Sequence, residues 1–144
     1  MDARAISRVL RTHGDATIAQ HSQRFFKTGK GEYGEGDRFL GIRVPVLRQY
    51  VRQYRDTPGE EIIKLLASKY HEERLFALLL LVDKFRRGSD SERGWIFRQY
   101  LAHTQYINNW DLVDSSAGKI VGAYLEPRSR KPLTSSFMEA HQRA

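Results

Sequence analysis

The chain has no cysteine in its 144 residues, which excludes a disulfide framework, a thiolate zinc site and a cysteine nucleophile. Long apolar runs are also missing. The longest, Leu75–Val82, has eight residues, against the roughly 20 needed to span a bilayer. Met1–Leu10 does not place a charged segment before an apolar one, so no secretory leader is expected. β-branched alternation never lasts beyond three or four residues, and no sheet is predicted. No G-x-x-x-x-G-K-S/T, H-E-x-x-H or G-x-S-x-G occurs, which removes the usual nucleotide and hydrolase motifs. His13, His21, His71, His103 and His141 lack metal-ligand spacing and read as surface or hydrogen-bonded histidines. Neither a metal nor a cofactor is expected. These absences leave a soluble, intracellular, cytoplasmic domain with no membrane partner, long enough to close a real core.

What is present is helical. Ile6, Val9 and Leu10 share a face of Asp2–Arg11, and after Gly14 a second helix capped by Asp15 carries Ile18, Ala19, Ser22, Phe25 and Phe26 at steps of three and four. Val46–Arg55 repeats the pattern with Val46, Leu47, Tyr50, Val51 and Tyr54. Thr57-Pro58 has the form of an N-cap followed by proline at the first helical position, opening a short helix to about Ser68. Glu72–Arg87 is apolar nearly all round across Leu75–Val82, as suits a helix touched on several sides. Ser89 or Asp90 caps the next, to about His103, with Trp95, Ile96, Tyr100 and Leu101 inward. Asn108–Leu125 makes another, before Pro127 and Pro132 begin an irregular tail over 126–144. About seven to eight helices joined by short turns predict one all-α domain over 1–144, a bundle or an α-solenoid. The exception is Lys27–Val44, a connector holding five of the 11 glycines. Gly29–Gly34 fits G-x-G-x-x-G, but no strand precedes it and no helix follows at once, so a turn-rich connector is the better reading.

Lysine and arginine number 24 against 17 acidic residues, a formal charge of +7 that suggests a polyanionic partner. Part of that charge is ordered. Arg48, Arg52 and Arg55 recur at i, i+4 and i+7, Arg43 and Lys30 flank them, Lys119 lies on the Asn108–Leu125 helix, and Arg128, Arg130 and Lys131 cluster beyond it. This is either a solvated face or a set of phosphate contacts that position a duplex without reading its sequence. Asn108-Asn109-Trp110-Asp111-Leu112-Val113-Asp114 opens its helix with Trp110 and Asp114 four apart, on one face. The plain reading is an asparagine N-cap, aspartates complementing the helix dipole and a core tryptophan. The chemical reading is that a carboxylate beside an aromatic face suits a developing cationic sugar. A purine alkylated on a ring nitrogen is itself cationic and leaves without protonation, so one carboxylate and no general acid is enough.

Taken together, Phe25-Phe26-Lys27-Thr28-Gly29, Tyr33-Gly34-Glu35-Gly36-Asp37, Phe39-Leu40-Gly41-Ile42-Arg43-Val44-Pro45 with Arg48, and Asn109-Trp110-Asp111-Leu112-Val113-Asp114 resemble the DNA alkylation repair proteins built from HEAT-like repeats, the AlkD-like DNA glycosylases. The order and spacing match from about Asp15 to Leu125. The resemblance implies an α-α superhelix, shortened at its C-terminus, whose basic concave surface holds alkylated duplex DNA, in a nucleoid-associated location. It implies base excision repair by release of 3-methyladenine and 7-methylguanine, with the backbone of the damaged nucleotide gripped and the base left out of any pocket. Asp114 would stabilise the oxocarbenium and orient water, and Trp110 would supply its face. Arg43, Arg48, Arg52, Lys119, Arg128, Arg130 and Lys131 would contact DNA. No residue here is matched to the family's site arginine and second tryptophan, and Asn109 stands where its well-studied branch has another aromatic. The alternatives are an inactive HEAT-like module on damaged, bent or branched DNA, or a protein-interaction scaffold. An open repeat end would also let two copies dimerise.

Overall fold

The computed structural model describes residues 2–25 and 37–130, the last four by backbone alone. The described residues are all-α, with no strand beyond one isolated backbone bridge between Arg38 and Tyr70. Helix α1 (Ala3–Arg11) is capped by Asp2, whose Oδ1 accepts the Ala5 N–H at 2.8 Å, and it buries Ile6 and Leu10. Asp15 does the same for α2 (Ala16–Phe25), accepting the Ile18 N–H at 2.9 Å. No residue of α2 is fully buried, however, and Phe25, one of its evenly spaced apolar residues, is 58% exposed. Phe26 lies outside the described residues.

Helix α3 (Val44–Gln53) starts with Pro45 in its first turn and buries Leu47. Before α4 (Gly59–Leu66), Thr57 is not the cap that its sequence position suggests: its hydroxyl donates back to the Tyr54 carbonyl at 2.6 Å, and Pro58 takes the N-cap position. The Pro58 carbonyl accepts the first helical N–H groups, from Glu61 and Ile62. Helix α5 (His71–Arg87) is the centre of the molecule and packs against α3, α4, α6 and α7. Helix α6 (Asp90–Ala102) begins with a capping box, Ser89 accepting the Glu92 N–H while the Glu92 carboxylate accepts the Ser89 N–H. Its Ile96 and Tyr100 are buried as predicted, but Leu101 is 49% exposed. A 3-10 turn, Thr104–Tyr106, leads to α7 (Trp110–Ala117), which runs through a π-helical turn at Gly118–Gly122 into α8 (Ala123–Arg130). The helix therefore passes the point at 126 where the irregular tail is expected. The fixed φ of Pro127 is compatible with helix and forfeits one backbone bond.

The core is built on α5. Phe76, Leu78, Leu80 and Leu81 are fully enclosed, and Ile6, Leu10, Leu47, Ile62, Leu66, Ile96, Leu112 and Ile120 close on them from the other helices. Each such side chain contributes roughly 1.5–3 kcal/mol by leaving water. The charged first turn of α5 is buried too, and its two glutamates are matched. Glu72 accepts the backbone N–H groups of Leu40, Gly41 and Ile42 at 2.8, 2.8 and 3.1 Å, fixing the approach to α3. Gly41 there has φ +84, and a Cβ would fall 1.9 Å from the Asp15 carbonyl oxygen, so only glycine fits. Glu73 accepts the hydroxyls of Ser7 and Ser68. These contacts tie α1, α4 and the segment before α3 to one end of α5.

Candidate functional site

Three of the sequence-predicted cations converge. Arg48 and Arg52 of α3 and Lys119 of the π turn line one open groove of about 620 Å³, together with Arg55, Arg86 and Arg93 and the apolar Val51, Leu79 and Val82. Arg48, Arg52 and Lys119 make no hydrogen bond or ion pair among the described residues. The other three arginines are tethered. Arg55 and Arg86 donate to Asp83 at 3.3 and 3.0 Å, and Arg87, just outside the groove, donates to it at 2.9 Å. Arg93 donates to the Phe85 and Arg86 carbonyls at 2.8 and 3.0 Å and lies over the Phe85 ring. Among the described residues the groove thus sets six basic side chains against one carboxylate, and that carboxylate is buried beneath them. Arg86 and Arg93 escape sequence reasoning because only the packing of α5 beside α3 and α6 brings them to the Arg48–Arg52 stripe. Arg43 is exposed at the N-cap of α3 and is not part of the groove lining. The side chains of Arg128 and Arg130, and all of Lys131, lie outside the described residues, as does Lys30.

Trp110 and Asp114 both face outward from α7. Trp110 is 46% exposed, which overturns a core role, and meets the edge of Phe25 at 6.1 Å between centroids. Asp114 is exposed and makes no hydrogen bond or ion pair among the described residues. Lys119 lies nine residue steps beyond Trp110 along one continuous helical run, roughly 14 Å at 1.5 Å per residue.

Beneath α7 lies a buried polar cluster. Asp37 Oδ1 accepts from Arg74 and from Asn108 Nδ2 at 3.1 Å, and its Oδ2 accepts from Asn109 Nδ2 at 2.9 Å and faces His71 Nδ1 at 3.2 Å. Nε2 of His71 lies 2.6 Å from Oδ2 of Asp111, and Phe39 stacks on the imidazole at 4.7 Å. Asn109 therefore stands at the N-cap position of α7 without capping it, because its side chain is directed to Asp37. Burial opposes ionisation of Asp37, but donation from His71, Arg74 and Asn109 outweighs it and holds the carboxyl well below the usual carboxylate range. For His71, burial disfavours the cation, yet Asp111 and Asp37 outweigh it and raise its pKa above the ordinary value of 6.5. His71 is thus a satisfied histidine, as its lack of ligand spacing predicts, and no metal-binding group of side chains occurs among the described residues.

The arrangement provides a basic groove fit for phosphates and, further along the same helix, an exposed indole and an exposed carboxylate. A family model described as DNA alkylation repair enzyme matches residues 6–143. That match is wider than the Asp15–Leu125 span of the motifs and takes in the tail. No curated protein and no solved structure matches the chain. Among the described residues no helix is long and apolar enough to cross a membrane.

Proposed function

The chain belongs to the DNA alkylation repair enzyme family, and from that premise we propose that it binds alkylated duplex DNA and hydrolyses the N-glycosidic bond of cationic alkylpurines. The observation that carries this reading is the placing of Trp110, Asp114 and Lys119 on one helical run, with Lys119 in a groove shared with Arg48 and Arg52. Phosphates along the groove position the duplex, since arginine and lysine in such numbers grip the backbone without reading bases. The roughly 14 Å from Lys119 to Trp110 corresponds to about four steps of 3.4 Å along one strand. The damaged nucleotide then lies at α7 while its neighbours are held in the groove.

There the alkylated base, already cationic, leaves with both electrons of the C1′–N bond and becomes neutral. Positive charge passes to the deoxyribose as an oxocarbenium. The Asp114 carboxylate stabilises it, and the face of Trp110 adds cation–π attraction of about 0.5–2 kcal/mol. Water adds at C1′ and loses its proton toward Asp114 and solvent. Exposure of Trp110 and Asp114 suits a reaction on a backbone-held nucleotide, with no base pocket required.

Release of 7-methylguanine from alkylated duplex DNA by wild type and by Asp114→Asn tests this. A loss of about 10²–10³ in rate is expected for the variant, the usual effect of removing a group aimed at developing charge. Equal rates would remove Asp114 from the mechanism. Salt-dependent binding without base release would instead favour a binding module for damaged DNA.

A further inference from the structure

The cluster beneath α7 takes no part in the reaction just described, and it has a definite proton requirement. Each ring nitrogen of His71 faces a carboxylate oxygen, Nδ1 that of Asp37 at 3.2 Å and Nε2 that of Asp111 at 2.6 Å. A carboxylate only accepts, and a neutral imidazole has one N–H and one lone pair. Either neutral tautomer would therefore aim a lone pair at an anionic oxygen. Only the imidazolium donates to both. Charge balance among the described residues agrees: Asp37 and Asp111 bring two negative charges, and Arg74, bound to Asp37, brings one positive. The His71 cation makes the cluster neutral, which matters because side chains only 3% exposed tolerate an unmatched charge poorly.

The three partners come from three parts of the chain. Asp37 precedes α3, His71 and Arg74 lie in the first turns of α5, and Asp111 lies in the first turn of α7, one residue after Trp110 and three before Asp114. We propose that His71 is a positioning residue, an imidazolium clamp that fixes the first turn of α7 and so aims Trp110 and Asp114 at the sugar of a bound duplex. The aim toward a sugar rests on the function proposed above; the clamp itself rests on the geometry of the cluster.

Among the described residues the charged groups facing His71 are Asp37 before α3, Asp111 on α7 and, through Asp37, Arg74 on α5. The neighbouring Glu72 is directed to the Leu40–Ile42 backbone, and Phe39 covers the ring. Gln23 of α2 and Asn109 of α7 reach Asp37 as neutral donors. Because the native pKa of His71 is raised, the clamp is complete below about 6.5 and opens as pH rises through the higher native value.

Nitrogen NMR of the His71 ring and of the Trp110 indole, assigned with Trp110→Phe, tests this on the whole chain. Both ring nitrogens are expected to carry protons below pH 6.5, the ring is expected to titrate with a midpoint above 6.5, and the indole resonance is expected to move with that midpoint. Asp111→Asn keeps the shape, removes one facing charge and is expected to lower that midpoint by about one pH unit or more. The alkaline limb of base release should fall by the same amount in that variant. A ring midpoint at or below 6.5, an indole that ignores the titration, or an unmoved midpoint in Asp111→Asn would each overturn the clamp. If wild type releases no base at any pH, the glycosylase reading fails, and the NMR results alone then decide the clamp.

Discussion

Arg48, Arg52 and Lys119 are the groove cations with no tether among the described residues, so replacing all three by alanine isolates phosphate contact from fold. Each phosphate neutralised releases condensed counterion and adds about 0.9 to the slope of log K against log salt. If each side chain meets one phosphate, the triple variant loses about 2.7 from that slope. Between 50 and 200 mM salt, wild-type affinity should then fall roughly 40-fold more steeply than that of the variant. Extrapolated lines should meet near 1 M, so at 0.1 M the variant should bind about 500-fold more weakly, or about 3.7 kcal/mol. Fluorescence anisotropy with an unmodified duplex over that salt range reads both quantities, and the loss should be equal on any sequence. Exposed and unpaired side chains carry little stability, so Tm should change by no more than about 0.5 kcal/mol equivalent. A matched control removes the same charge elsewhere, at the exposed Arg4, Arg8 and Lys69, and should retain most of the slope. A triple groove variant with the wild-type slope, or a control that loses as much, would refute a groove-specific grip and leave only net charge.

Three further outcomes follow from contacts rather than counts. Asp83→Asn removes a carboxylate from the groove, so simple electrostatics predicts tighter DNA binding; because Asp83 holds Arg55 and Arg86 in place, we expect binding several-fold weaker, and tighter binding in the same anisotropy assay would reject preorganisation. Gly41→Ala combines a positive φ with a Cβ 1.9 Å from the Asp15 carbonyl oxygen and should lower stability by about 3 kcal/mol or more in urea unfolding, whereas a loss under 1 kcal/mol would show that the loop relaxes. Asp37 has a depressed native pKa, so its contribution is full above the ordinary value of 3.8 and is lost as pH falls through the lower native one; Asp37→Asn should flatten the acid side of the stability–pH curve measured by unfolding, and an acid limb unchanged from wild type would assign it to other carboxylates.

What the sequence made legible was what local chemistry decides. Asp15 and Ser89 cap helices where their positions predict, because a cap needs only the next three residues. Leu75–Val82 announces a helix enclosed on all sides, and α5 is that helix. Leu101 is exposed despite its inward spacing because periodicity shows which residues share a face but not whether another helix covers it. The same limit explains why Arg48 and Arg52 were found as a stripe while Arg86 and Arg93 were not: they complete the groove from other helices.

The start of α7 shows where local rules give way. By position, Asn109 and Asp111 are a cap and a dipole partner, and a first turn needs nothing more. Yet Asp37, 72 residues before Asn109, is buried and must be neutralised. It recruits Asn108, Asn109, Arg74 and His71, and His71 in turn holds Asp111. Those long-range bonds, each stronger for involving an ionised partner, outcompete a cap that water can replace at the helix end. With its inward polar groups committed to the cluster, the first turn leaves Trp110 and Asp114 on the outer side. The exposure that fits them to a backbone-held nucleotide therefore follows from a carboxylate on another segment, and losing Asp37 should disturb Trp110 before it disturbs the groove.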